Sequence, residues 1–242
     1  MERETHILVI PYPVQGHINP MLQFSKRLAS KGPRVTFVTT SSISESIQAH
    51  AMHSINVEII SDGSEEGNNL ESNEAYLKRF QLNVSQSLAK LIEKHNSSQY
   101  PPKILVYDSG MPWALNIAHQ LGLDGATFFT QSCAVKAIYY HAHHGAVPMP
   151  FEGPSVSLPS MPSLGIDDLP SFLCDKGTYP ALLNLVLNQF SNILEANWIL
   201  CNTFDKLEYE VGSTIHWVSY LSELLAKVQF VNKGRLDKVC MY

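Results

Sequence analysis

Six short runs rich in β-branched and aromatic residues recur along the chain, at residues 7–10, 35–38, 57–60, 104–107, 126–129 and 198–201. Most are apolar at every position, as strands are when a parallel sheet is covered on both faces. Longer segments of helical period separate several of them. Strands and helices in alternation make an α/β, doubly wound parallel sheet, and 242 residues with 45% hydrophobic content can bury the core it needs.

The helices have recognisable limits. Asn19 can cap the first, with Pro20 at its first position and Leu22, Ser25, Leu28 and Ala29 along one face, ending near Gly32 and Pro33. Further helices are predicted over 74–94, 112–121 and 132–144, and another from the apolar spacing of Leu182, Leu183, Leu185, Val186, Leu187 and Phe190. Between 145 and 168, Pro148, Pro150, Pro154, Pro159 and Pro162 predict a long irregular connection. The stretch from 211 differs, with Trp217, Leu221, Leu224, Leu225 and Val228 forming a helix-spaced apolar stripe.

Charge and cysteine usage narrow the function. A formal net charge of −5, without a stripe of Lys and Arg, makes nucleic acid an unexpected partner. The apolar run 7–10 stops at Pro11, too short for a secretory h-region or a membrane span, so a cytoplasmic protein without stable membrane insertion is expected. Cys133, Cys174, Cys201 and Cys240 are scattered and form no Cys-x-x-Cys pair, which predicts reduced thiols and no zinc site. His141, His143 and His144 look like a metal cluster, yet His at i and i+2 diverge on a helix, and a solvated helix end is the reading preferred.

In an open parallel sheet, ligands bind beyond the carboxyl ends of the strands. Two ionisable residues fall there: His17, in the loop after the first strand, and Asp108, closing the strand 104–107. Such a pair can act as a dyad, the carboxylate fixing the imidazole tautomer and stabilising the imidazolium. Each residue also has an ordinary explanation, a His bonded to a turn and an Asp capping the next turn or helix. A nicotinamide enzyme is disfavoured, because the first loop carries one glycine where Gly-x-Gly-x-x-Gly is needed.

Beyond this residue-level reading, Pro11-Tyr12-Pro13-Val14-Gln15-Gly16-His17-Ile18-Asn19-Pro20-Met21-Leu22 resembles the opening motif of the plant family 1 UDP-glycosyltransferases. In the same order, Tyr107-Asp108-Ser109-Gly110-Met111-Pro112-Trp113, Phe129-Thr130-Gln131-Ser132-Cys133-Ala134, Leu158-Pro159-Ser160-Met161-Pro162 and Cys201-Asn202-Thr203-Phe204-Asp205-Lys206-Leu207-Glu208 are similar to that family. The resemblance runs from about residue 5 to 210. It is strongest to members that glucosylate hydroxyls or carboxyls of small hydrophobic plant metabolites.

The resemblance implies a Rossmann-like acceptor-binding domain over 1–210, the N-terminal half of a GT-B fold. By it, His17 is the general base, Asp108 its orienting partner, and transfer proceeds with inversion and without a metal or other cofactor. Gln15 and Gly16 would approach the donor phosphate, and Thr130 the sugar. Tyr12, Met111, Trp113, Ile138 and Phe151 fall on segments that would line the acceptor cleft, although aromatic and Met residues at such spacing are more often core than pocket. The family's donor signature, a Trp and Gln on uracil and a His-Cys-Gly-Trp-Asn-Ser run at the diphosphate, is not found in these residues. Residues 211–242 are accordingly expected to be an atypical tail replacing the linker and donor domain. The co-substrate is then a UDP-sugar, UDP-glucose by resemblance, used only when a donor domain is supplied, and the chain alone is expected to be inactive. The alternative is a non-catalytic acceptor-binding or interaction protein, self-associating through its exposed interdomain face.

Overall fold

A computed structural model describes residues 5–44, 55–64, 71–175 and 177–203. The apolar stripe at 217–228, Cys240, the motif residues 204–208 and the expected boundary at 210 lie outside the described residues.

The chain runs β1 (His6–Ile10), α1 (Gln15–Ala29), β2 (Arg34–Thr40), β3 (Asn56–Ile60), α2 (Asn73–Asn96), β4 (Pro102–Asp108), α3 (Trp113–Gln120), β5 (Asp124–Phe129), α4 (Cys133–His143), α5 (Ser171–Cys174), α6 (Pro180–Asn188) and β6 (Trp198–Cys201). All six strands pair in parallel in the order β3-β2-β1-β4-β5-β6. The order reverses between β1 and β4, whose adjacent ends open the crevice typical of doubly wound sheets.

Strand alternation divides the core into layers. Ile7, Val9, Val35, Phe37, Ile104, Val106 and Phe128 point to one face, where Ile18, Met21, Leu22, Phe24 and Leu28 of α1 cover them. Leu8, Ile10, Val38, Leu105 and Tyr107 point to the other, beneath Phe80, Val84, Leu88 and Ile92 of α2 and Leu115 of α3. A third cluster gathers Phe129, Ile138, Tyr139, Phe151, Leu158, Leu164, Leu173 and Phe190. The proline-rich connection is thus irregular in backbone yet anchored by buried side chains, with a single bridge between Val156 and Leu164.

The first helix begins a turn earlier than its sequence signals indicate. The Val14 carbonyl accepts from the amides of His17 and Ile18, both at 2.9 Å, so the chain is already helical from Gln15 and Pro20 lies inside. Pro20, the sixth residue of the helix, has no N–H to give to the Gly16 carbonyl, so that bond of the helical ladder is missing. The earlier start brings Ile18, 2% exposed, onto the buried stripe of α1. His17 therefore stands in the first helical turn, not in a loop.

Candidate functional site

Register places the two ionisable residues. Ile10 lies opposite Tyr107 in the β1–β4 pair, so Asp108 and the chain leaving β1 emerge side by side at the carboxyl edge. Residues 11–14 then turn into α1, which carries His17 back over the strand ends. His17 Nδ1 donates to Asp108 Oδ2 at 2.7 Å. The carboxylate's other oxygen accepts the Gly110 amide at 2.9 Å, and the Met111 amide bonds the Asp108 carbonyl at 2.9 Å. Asp108 is bonded through both carboxylate oxygens and its side chain is 0% exposed, while that of His17 keeps 28%.

Gly110 permits this arrangement. A Cβ there would lie 3.2 Å from Asp108 Oδ1 and 3.7 Å from the Tyr12 ring, so a side chain would press on the carboxylate.

The electrostatics of His17 follow from its position. Burial disfavours the imidazolium, but the hydrogen bond and the negative charge of Asp108 outweigh it, and the net pKa shift is upward from 6.5. With Nδ1–H committed to the carboxylate, the neutral ring carries its lone pair on Nε2. Thr130, just after β5, brings Oγ1 within 3.4 Å of Nδ1.

Tyr12 packs beside the dyad, its ring 5.8 Å from that of His17 and 5.3 Å from that of Phe80. Burial, then Tyr76, then the Asp108 charge raise the pKa of its hydroxyl well above the ordinary phenol value. Trp113 meets Phe80 edge-on with centroids 6.5 Å apart and is half-buried. Met111, Ile138 and Phe151 are embedded in the core clusters, at 0%, 4% and 3% exposure. None of these five residues lines either of two surface cavities on the domain. One, of about 550 Å³, is at the opposite, amino edge around His6, Arg34 and His95. The other, of about 590 Å³, lies between the first turns of α2 and the start of α6, with Leu77, Gln81, Tyr179 and Asn184 on its walls.

Gln15 and Gly16 open α1, where unpaired amides and the helix dipole present positive charge. A Cβ on Gly16 would meet no protein atom within 4 Å. Residues missed by sequence reasoning are Gly110, Tyr76 and Phe80. Only the first had a usable signal, since Asp followed two residues later by Gly favours an Asx turn. Among the described residues no group of His, Cys, Asp or Glu is arranged to hold a metal ion, and no helix is long and apolar enough to cross a membrane.

Comparison with known proteins supplies the context. Residues 3–61 match a family model described as the glycosyltransferase N-terminal domain. The chain is 46% identical over 238 residues to mogroside I-E synthase of Siraitia grosvenorii, covering 97% of this chain and 52% of that protein. It is 44% identical over 243 residues to UDP-glycosyltransferase 74E2 of Arabidopsis thaliana, covering 98% and 53%. The crystal structure of Os79 from O. sativa in complex with U2F and trichothecene superposes with a TM-score of 0.77 and 30% identity, covering 88% of this chain and 50% of that one. The chain spans about half the length of the relatives it matches. Its fold is the Rossmann-like, doubly wound N-terminal domain of that GT-B architecture.

Proposed function

We propose that this chain, which corresponds in sequence and fold to the N-terminal half of plant UDP-glycosyltransferases, supplies the acceptor side and the general base of a glycosyl-transfer site. The observation that carries this reading is the 2.7 Å bond between His17 and the buried carboxylate of Asp108.

An acceptor hydroxyl at the carboxyl edge of the sheet gives its proton to His17 Nε2. Asp108 stabilises the imidazolium so formed and keeps the ring in the orientation that exposes Nε2. The activated oxygen attacks the anomeric carbon on the face opposite the departing UDP, and the configuration inverts. The amides of Gln15 and Gly16 face the donor phosphates, and the Thr130 hydroxyl faces the sugar. The donor is UDP-glucose and the acceptor a small hydrophobic metabolite bearing a hydroxyl or carboxyl, held near Tyr12 and Trp113.

The test is UDP release from UDP-glucose with a panel of small phenolic and carboxylic acceptors. It is run on the 242-residue chain and on the chain joined to the donor-binding half of one of the relatives above. Transfer by the joined protein that is lost in His17→Ala supports the reading. Acceptor binding by a folded joined protein without any transfer would instead favour a non-catalytic binding role.

A further inference from the structure

Lys136 lies one turn into α4 and is 0% exposed. Its ammonium reaches the ends of two paired strands, β5 and β6, where Phe129 lies opposite Cys201. Nζ donates to Cys201 Sγ at 2.6 Å and is 3.9 Å from Cys133 Sγ, with the Phe129 ring centroid 5.0 Å away. An ammonium in contact with sulfur stabilises negative charge there, the condition under which a thiol becomes a nucleophile. Cys201 is partly exposed, Cys133 is buried, and the Cys174 thiol is pushed up in pKa by burial and by the charge of Asp167. Position and exposure thus single out Cys201 among the described cysteines.

We infer that Lys136 and Cys201 form an oxidant-responsive pair that closes into a covalent sulfenamide, tying α4 to β6. The oxidant is a peroxide. In the first step the Cys201 sulfur attacks one peroxide oxygen, the S–O bond forms, the O–O bond breaks, and the leaving hydroxide takes a proton from the Lys136 ammonium to become water, which frees the amine. Sulfur is oxidised by two electrons and the peroxide reduced by two. In the second step the Lys136 amine attacks the sulfenic sulfur, the S–O bond breaks, and the hydroxyl leaves as water with one proton from the nitrogen. With hydrogen peroxide, thiol plus amine yields the sulfenamide and two waters. The second step needs the nitrogen against the sulfur, which is the contact observed. Since α4 follows Thr130 by only two residues, the link would also fix the segment that carries Thr130 to His17.

The 242-residue chain is treated with hydrogen peroxide, its remaining thiols are alkylated under denaturing conditions, and a tryptic digest is read by mass spectrometry. The expected product joins the segments containing Lys136 and Cys201, lighter by two hydrogens than the separate peptides, with cleavage after Lys136 lost. Dithiothreitol restores both peptides. Cys201→Ser abolishes the product, and Lys136→Arg, which keeps the charge but lacks the attacking amine, leaves Cys201 as a sulfenic acid captured by dimedone. Because the linked peptide is sought first in the unsubstituted chain, the test does not depend on the variants folding. Recovery of Cys201 as an alkylated thiol under conditions that oxidise Cys174, or a Cys133–Cys201 disulfide in place of the link, overturns the inference.

Discussion

His17 and Asp108 are 91 residues apart in sequence and 2.7 Å apart in space. What joins them is the crossing from β1 to its neighbour β4, because the strand order reverses there and each strand delivers one member of the pair. The bond is directional. Gly110 occupies Oδ1 of the carboxylate and leaves Oδ2 for the imidazole.

Replacing Asp108 with Asn keeps the shape but removes the charge and the preference for Nδ1–H. In the joined protein, Asp108→Asn is expected to lower kcat by ~10²–10⁴-fold, the usual range for general-base catalysis, with a smaller change in KM. The split between kcat and KM in steady-state transfer assays checks this.

The upward shift of His17 sets a pH window. Transfer needs the neutral ring, so the rate falls as pH drops through the raised pKa, above 6.5, provided proton abstraction limits the rate. Stability moves the other way. The imidazolium–carboxylate bond contributes fully below 6.5 and is lost as pH rises through the folded value. NMR titration of the His17 ring is expected to show a midpoint above 6.5 in the unsubstituted chain and a lower one in Asp108→Asn.

Acceptor chemistry separates the role of the base from that of the scaffold. A hydroxyl must lose its proton to His17, whereas a carboxylic acid is already ionised at neutral pH. His17→Ala should therefore depress transfer to a phenolic or alcoholic acceptor far more than transfer to a carboxylate. Competing the two acceptors in one assay gives the ratio directly.

Packing behind the site yields a stability prediction. Gly125 in β5 has no room for a side chain, since a Cβ would come within 2.1 Å of Leu115 Cδ1, and Leu115 is fully buried. Gly125→Ala is expected to destabilise the domain by about 1–3 kcal/mol through overpacking. Urea denaturation would show it as a lower midpoint.

Much of this fold is legible in the sequence because its strands are buried on both faces and so read as unbroken apolar runs, as at Leu105 and Val106. The start of α1 is not, since Asn19-Pro20 mimics a helix beginning while the burial of Ile18 and the bonds to Val14 draw it earlier. Within the site, His17 and Asp108 stand out as ionisable residues at strand ends, but their pairing depends on strand order. Met111, Ile138 and Phe151 could not be assigned to core or cleft by type, because both environments select apolar side chains. Nothing in the sequence marks Lys136 as buried; its place against Phe129 and Cys201, at the ends of β5 and β6, does.

The central claim is that His17 is the base, and the most direct measurement is the transfer rate of the joined protein carrying His17→Ala, at saturating UDP-glucose and with a hydroxyl acceptor. The account predicts a fall of ~10²–10⁴-fold with acceptor binding retained. A variant that binds acceptor and transfers glucose at the unsubstituted rate would contradict it.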